Sequence, residues 1–157
     1  MTATAHALIG ASIAATFTNP IIGIPLAFVS HFLADIVPHW DVGTNHRQKS
    51  VFRLRIEATF DVLLGFALSF LLFAKFVEPT YLFVMIIAAQ LPDWLGTPYW
   101  LFNLKFPPFS WAYYIGHKIQ SRMQLPWGLV TQIAIVGLIV ATAIWTTPAK
   151  LALASLI

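Results

Sequence analysis

The chain has 157 residues, of which 59% are hydrophobic and only 10% are charged, and its formal net charge is +3. Soluble domains carry about 25% charged residues, so this composition excludes most soluble folds, disordered tails and nucleic-acid-binding modules. The absence of cysteine excludes a disulfide framework and a thiolate metal site. We therefore predict an all-α, polytopic transmembrane helical bundle that forms one integral membrane domain over residues 1–157.

Five apolar segments are predicted as membrane helices. In chain order they cover about residues 3–17, 21–37, 54–77, 81–91 and 126–145. The first is short, so whether it spans or is re-entrant stays open. The fourth is interrupted around Pro92 and can continue to about residue 102. No removable signal peptide is expected, and residues 150–157 are apolar but too short to span. A short sequence similarity between residues 34–43 and 89–96 is compatible with two parallel helical hairpins plus a fifth helix.

The basic residues predict the orientation of these segments. They concentrate in two connections predicted to lie outside the membrane, residues 38–53 and 103–125. Arg47, Lys49 and Arg53 precede the third segment and Arg55 lies at its start, while Lys105, Lys118 and Arg122 precede the fifth. With five spans, both connections lie on one side of the membrane, which the positive-inside rule makes cytoplasmic. The N-terminus is then cytoplasmic as well, and membrane lipids are the expected surroundings of the chain.

Seven ionisable residues from different segments are predicted to lie at one level, close to the cytoplasmic surface. They are His6, His31, Asp35, Glu57, Asp61, Asp93 and His117. His31 and Asp35 are four residues apart and share a helix face, and the same holds for Glu57 and Asp61. An unpaired carboxylate in lipid costs about 2.5–3.5 kcal/mol on insertion scales, so we expect a divalent cation to neutralise these groups. Mixed imidazole and carboxylate ligands favour zinc over manganese or iron.

Structural roles are the alternative for each of these residues. The Glu57/Asp61 pair can form ion pairs with neighbouring arginines at the membrane interface. The His31/Asp35 pair can be a hydrogen-bonded contact between packed helices, and His6 can be a histidine packed in the core. These roles do not predict that residues from four or five segments meet at one level. The convergence therefore favours a metal centre.

The segment at residues 30–41, Ser-His-Phe-Leu-Ala-Asp-Ile-Val-Pro-His-Trp-Asp, resembles the YdjM-like family of small prokaryotic membrane proteins described as metal-dependent hydrolases. Two further family motifs match, a His-x-x-x-Gly at His6 to Gly10 and a Pro-Asp turn at Pro92-Asp93. The resemblance covers roughly residues 5–100. It implies a prokaryotic inner-membrane protein with hydrolase chemistry and four candidate metal ligands: His6, His31, Asp35 and Asp93.

We therefore predict a divalent-metal-dependent hydrolase that acts on a lipid or lipid-linked phosphate or ester at the cytoplasmic leaflet. A bound metal would activate water, and Glu57 or Asp61 would serve as the general base. A metal-cation or proton-coupled transporter is one alternative, although the uncharged centres of the predicted spans argue against a polar pathway. A non-catalytic scaffold with a structural metal is another. No nucleic-acid partner is expected, and the oligomeric state stays open.

Overall fold

The computed structural model describes the backbone of residues 1–154 and the side chains of residues 1–99 and 102–147. Within this part of the chain there are six α-helices and no β-strand, which confirms the all-α prediction. The helices are α1 (Ala3–Thr16), α2 (Pro20–Ile36), α3 (Val51–Phe73), α4 (Pro79–Leu101), α5 (Phe109–Ile119) and α6 (Trp127–Ala154). A short 3-10 helix at His46–Gln48 lies in the connection between α2 and α3.

Side-chain caps determine where four of these helices begin. The oxygens of Thr2, Asn19 and Ser50 accept backbone amides in the first turns of α1, α2 and α3. Glu78 accepts two amides at the start of α4. Each cap satisfies amide groups that have no partner inside the helix. Proline occupies the first position of both α2 and α4, where its missing amide costs nothing.

Helix α1 is the centre of the bundle and packs against α2, α3, α4 and α6. Five of its nine buried residues are alanines, and His6 and Ser12 are the polar ones among them. Gly10 permits the closest approach, because a β-carbon at this position would lie 2.7 Å from the carbonyl oxygen of Met85 and 2.8 Å from Cβ of Ala89. The small side chains of α1 therefore bring α4 close to it.

Two helical segments are long and apolar enough to cross a membrane, Val51–Phe73 and Trp127–Thr147. Only 17% and 22% of these segments are buried inside the protein, so their apolar surface faces outwards. Two is fewer than the five predicted spans. The reason is length for α1 and α2, whose 14 and 17 residues reach only about 21 and 26 Å. Helix α4 has the length, but polar side chains such as Gln90 and Asp93 lower its hydropathy.

Three other sequence predictions need correction. Helix α4 runs without interruption through Pro92 and Pro98, whereas the sequence predicted a break near Pro92. Residues 103–125, predicted to be a loop, contain the amphipathic helix α5. Helix α6 extends to residue 154, beyond the predicted end of the fifth segment near residue 145, and residues 155–157 lie outside the described part.

The connection after α2 is joined to the segment before α6. The backbone amide of Ser121 donates to the carbonyl oxygen of Asp35 at 2.9 Å, and the amide of His39 donates to Ser121 at 3.0 Å. The amide of Met123 in turn donates to His39 at 2.7 Å. Arg122 adds an ion pair to Asp41 at 3.0 Å. These contacts hold residues 35–41 rigidly at one end of the bundle.

Candidate metal centre

Three helices bring two histidines and an aspartate together at this end of the bundle. His6 of α1, His31 of α2 and Asp93 of α4 each offer one ligand atom, and these atoms all lie within 4.8 Å of one another. Both histidines are 1% exposed and Asp93 is 49% exposed. The two imidazole rings stack with their centroids 3.9 Å apart. This group can hold a metal ion.

A backbone carbonyl fixes the orientation of His31. Its Nδ1 lies 2.8 Å from the carbonyl oxygen of Ala89, which can only accept, so Nδ1 carries the hydrogen. In the neutral ring the lone pair is then on Nε2, which lies 3.5 Å from a carboxylate oxygen of Asp35 and 3.5 Å from one of Asp93. Metal-binding histidines are commonly oriented by such a hydrogen bond at the other nitrogen.

The spacing of the polar atoms matches a coordination shell. Nε2 of His6 lies 3.3 Å from Oδ1 of Asp35. Nε2 of His31 lies 3.5 Å from a carboxylate oxygen of Asp35 and 3.5 Å from one of Asp93. A tetrahedral zinc ion with bonds of about 2.0–2.1 Å holds neighbouring ligand atoms about 3.3–3.4 Å apart. A lone pair that faces a carboxylate at this distance is repelled by it, and either a proton on the nitrogen or a cation bound between the two groups removes that repulsion.

His6 supports the presence of a cation at this centre. Both of its ring nitrogens are buried, and neither has a hydrogen-bond partner among the described residues. Leaving a buried polar atom unpartnered costs about 1–3 kcal/mol. A metal ion bound to Nε2 at about 2.0–2.1 Å would give this ring a partner.

Asp35 is the buried carboxylate around which the histidines gather. It is 2% exposed, and its oxygens face His6, His31 and His39. The amino group of Met1 also contacts its Oδ1. The sequence predicted Asp35 as a ligand, and the structure places it beside the His6, His31 and Asp93 group.

Sequence analysis missed His39 as a candidate ligand. Its Nδ1 donates to the carbonyl oxygen of Val37 at 2.7 Å, and its buried Nε2 has no hydrogen-bond partner in the described structure. Burial and the nearby charge of the Met1 amino group lower the pKa of His39, so its ring is neutral near pH 7. The available signal was its position four residues after Asp35, which the intervening Pro38 obscured.

A cavity of about 350 Å³ opens beside the centre. His31 and Asp93 border it on the side of the metal ligands, and Asp61, His117 and Arg122 border it elsewhere. His117 stacks against Tyr113 with the rings at 5.9 Å. His117 is exposed, so the structure places it at the cavity and not in the buried ligand group.

The two acidic residues of α3 have other partners. Glu57 forms ion pairs with Lys49 at 2.7 Å and Arg53 at 2.6 Å, so its carboxylate is already neutralised away from the ligand group. Asp61 accepts the backbone amides of Ala3 at 2.7 Å and Thr4 at 3.0 Å. The sequence predicted both as ligands or bases. The structure gives Glu57 the ion-pair role and makes Asp61 an anchor for the start of α1 that also borders the cavity.

Gln90 is a second buried polar group that sequence analysis did not single out. It borders the cavity, is 1% exposed, and neither atom of its carboxamide has a hydrogen-bond partner in the described part of the chain. It lies on α4 next to Ala89, which orients His31. A polar residue in an otherwise apolar stretch of helix was the available signal.

Comparisons with protein-family models, curated proteins and solved structures find no match to this chain. The functional argument therefore depends on the geometry of the His6, His31 and Asp93 group and its surroundings.

Proposed function

We propose that this chain is a divalent-metal-dependent hydrolase embedded in a membrane, with a lipid or lipid-linked phosphate or ester as its substrate. The observation that carries the proposal is the His6, His31 and Asp93 group, whose ligand atoms converge within 4.8 Å at the edge of a cavity. The resemblance of residues 30–41 to the YdjM-like family supports the same chemistry. Zinc is the favoured ion because imidazole and carboxylate ligands suit it.

The charges around the cavity support a bound cation. Asp41, Asp61 and Asp93 border it together with a single arginine, Arg122, and that arginine is paired with Asp41. Asp35 adds a further buried carboxylate beside the ligands, and the positively charged amino group of Met1 contacts it. A divalent ion would offset this excess of negative charge, and when bound it would polarise a substrate oxygen and activate water near neutral pH.

The residues of the chain have distinct roles in this proposal. His6, His31 and Asp93 hold the ion, and Ala89 holds His31 in the required orientation. Asp61 is the acidic residue of α3 that borders the cavity, so it is favoured over Glu57 as a proton acceptor. His117 is exposed at the cavity and is suited to donate a proton to a leaving group.

The surroundings of the site support action at a membrane surface. The outward-facing apolar surfaces of α3 and α6 suit lipid, and the site lies where α2 ends and α3 begins. Arg47, Lys49, Arg53 and Arg122 cluster at this same end of the bundle, which the positive-inside rule would make cytoplasmic. An inner-membrane location with the substrate drawn from the cytoplasmic leaflet follows from this proposal.

Metal content of the full chain purified in detergent tests the proposal directly. The wild type should bind zinc stoichiometrically, and His31→Ala and Asp93→Ala should lose it. His46→Ala is a matched control, since His46 borders the same cavity but lies outside the His6, His31 and Asp93 group, and its Nδ1 bonds to the carbonyl oxygen of Gly43. Equal metal content in the wild type and both ligand variants would refute the metal centre.

Turnover assays test the hydrolase part of the proposal. The zinc-loaded wild type would be given a diacylglycerol phosphate and a diacylglycerol in mixed micelles, with release of phosphate and fatty acid measured. Turnover that disappears on chelation and returns on adding zinc supports the hydrolase. Stoichiometric metal without turnover of a broad panel of lipid phosphates and esters would favour a structural metal in a scaffold.

A further inference from the structure

The two oxygens of the Asp35 carboxylate face different imidazoles. Oδ2 lies 3.5 Å from Nε2 of His31, and the same nitrogen lies 3.5 Å from Oδ1 of Asp93. Oδ1 lies on the other side, 3.3 Å from Nε2 of His6 and 3.7 Å from Nε2 of His39. A carboxylate placed between two sets of nitrogen ligands in this way is suited to bridge two ions.

His39 supplies an independent indication of a second ion. Its Nε2 is buried and has no hydrogen-bond partner among the described residues, and the bond from Nδ1 to the carbonyl oxygen of Val37 directs the lone pair of Nε2 away from the backbone. The 3.7 Å separation from Oδ1 of Asp35 is too long for a hydrogen bond. Two ligands of one ion with bonds of about 2.0–2.2 Å can be this far apart.

The backbone holds His39 in place without help from its ring. Its amide and carbonyl groups bond to Ser121 and Met123, so the side chain is free for another task. The amino group of Met1 contacts Oδ1 of Asp35, which shows that a positive group can reach this oxygen. A metal ion at the same oxygen would displace that group or take its nitrogen as a ligand after loss of a proton.

We propose that Asp35 bridges two divalent cations, one held with His31 and Asp93 and the other with His39, and that this pair selects a phosphate monoester. His6 lies between the two positions. The inference rests on the proposed function and narrows it. One divalent ion balances the net charge of Asp35, Asp61, Asp93 and the Met1 amino group, whereas two ions leave an excess of positive charge. A dianionic phosphate monoester offsets that excess and an uncharged ester does not. In two-metal sites the ions are about 3.5–4 Å apart and act on both oxygens of a displacement.

Manganese loading tests the second position without relying on turnover. The full chain in detergent would be stripped of metal and reloaded with Mn²⁺, and bound metal would be counted while the electron paramagnetic resonance spectrum is recorded. We expect about two ions per chain with the spectrum of a magnetically coupled pair. His39→Asn keeps an amide nitrogen near the position of Nδ1 and removes Nε2, so it should bind about one ion with an uncoupled spectrum.

The possible outcomes separate this inference from the proposed function. His46→Ala should behave as the wild type, and its melting temperature and that of His39→Asn show whether each variant is folded. One ion per chain in the wild type, or two ions in both the wild type and His39→Asn, would overturn the second position and leave the first intact. A wild-type protein that binds no metal would refute both metal positions, and with them the proposed function. A coupled pair in a protein that releases fatty acid but no phosphate would refute the selection of phosphate.

Discussion

Gly10 is the residue whose substitution tests most directly how the bundle builds the metal centre. It lies four residues after His6 on α1 and faces α4 at Met85 and Ala89. Because Ala89 also orients His31 and Asp93 follows one turn later, any change in the separation of α1 and α4 alters the ligand geometry. The substitution Gly10→Ala adds one methyl group at this crossing.

The structure gives the size of the perturbation. The new β-carbon would lie 2.7 Å from the carbonyl oxygen of Met85, and ordinary contact begins at 3.4 Å, so the helices must separate locally by about 0.7 Å. Metal sites tolerate errors of about 0.2 Å in ligand distance. Such overpacking costs about 1–3 kcal/mol, and the gain in helix propensity from glycine to alanine returns up to about 1 kcal/mol.

Gly137→Ala is the matched control for helix propensity. Gly137 lies on α6, and a β-carbon there would have nothing within 4 Å. The free energy of unfolding in mixed micelles should therefore be about 1–3 kcal/mol lower for Gly10→Ala than for Gly137→Ala. Zinc content should fall in Gly10→Ala and stay at the wild-type value in the control. If both variants are equally stable and bind zinc equally well, the close crossing of α1 and α4 does not determine the site.

Three further substitutions test individual polar contacts. Asp61→Ala removes the carboxylate that accepts backbone amides at the start of α1, so the free energy of unfolding measured with a denaturant should fall by about 1–2 kcal/mol. An unchanged free energy of unfolding would contradict the anchoring role. Gln90→Met replaces a buried amide without a partner by an apolar chain, so stability in the same assay should rise by up to about 1–3 kcal/mol, whereas a loss would mean that the amide is paired. Backbone amides lower the pKa of Glu78 at the start of α4, so the ionised carboxylate stabilises the fold at pH values above the usual pKa of a carboxyl group. This stabilisation disappears as the pH falls through the lowered pKa. Glu78→Gln should accordingly be less stable than the wild type near neutral pH and equal to it in acid, and a difference that persists in acid thermal melts would refute this.

Much of the helical framework is predictable because its boundaries depend on local chemistry. Asn19 and Pro20 start α2, and Pro38 follows shortly after its end, so the predicted and observed bounds agree within a residue or two. The break predicted at Pro92 is wrong because a single proline removes only one backbone donor, and α4 continues on either side of it. Helix α5 was missed because the Pro107-Pro108 pair before it and the basic residues of the 103–125 segment are typical of a loop.

The candidate site was predictable in part, since His31, Asp35 and Asp93 lie at segment ends that face the same way. The ion pair of Glu57 with Arg53 was one of the alternatives that the sequence offered, because the two residues are four apart on α3. Its second partner, Lys49, was not predictable, because Lys49 belongs to a connection whose path is set by tertiary contacts. His39 joins the site only because hydrogen bonds to residues 121 and 123 hold the chain beyond the end of α2.

The sequence by itself determined the apolar helices, their caps and the collection of imidazoles and carboxylates at one end of them, because these depend on composition and on spacing along a helix. Only the tertiary structure decided which of those groups meet. Helix crossings such as that of Gly10 with Met85, and the backbone bonds around His39, set distances between atoms far apart in the chain, and coordination chemistry depends on those distances.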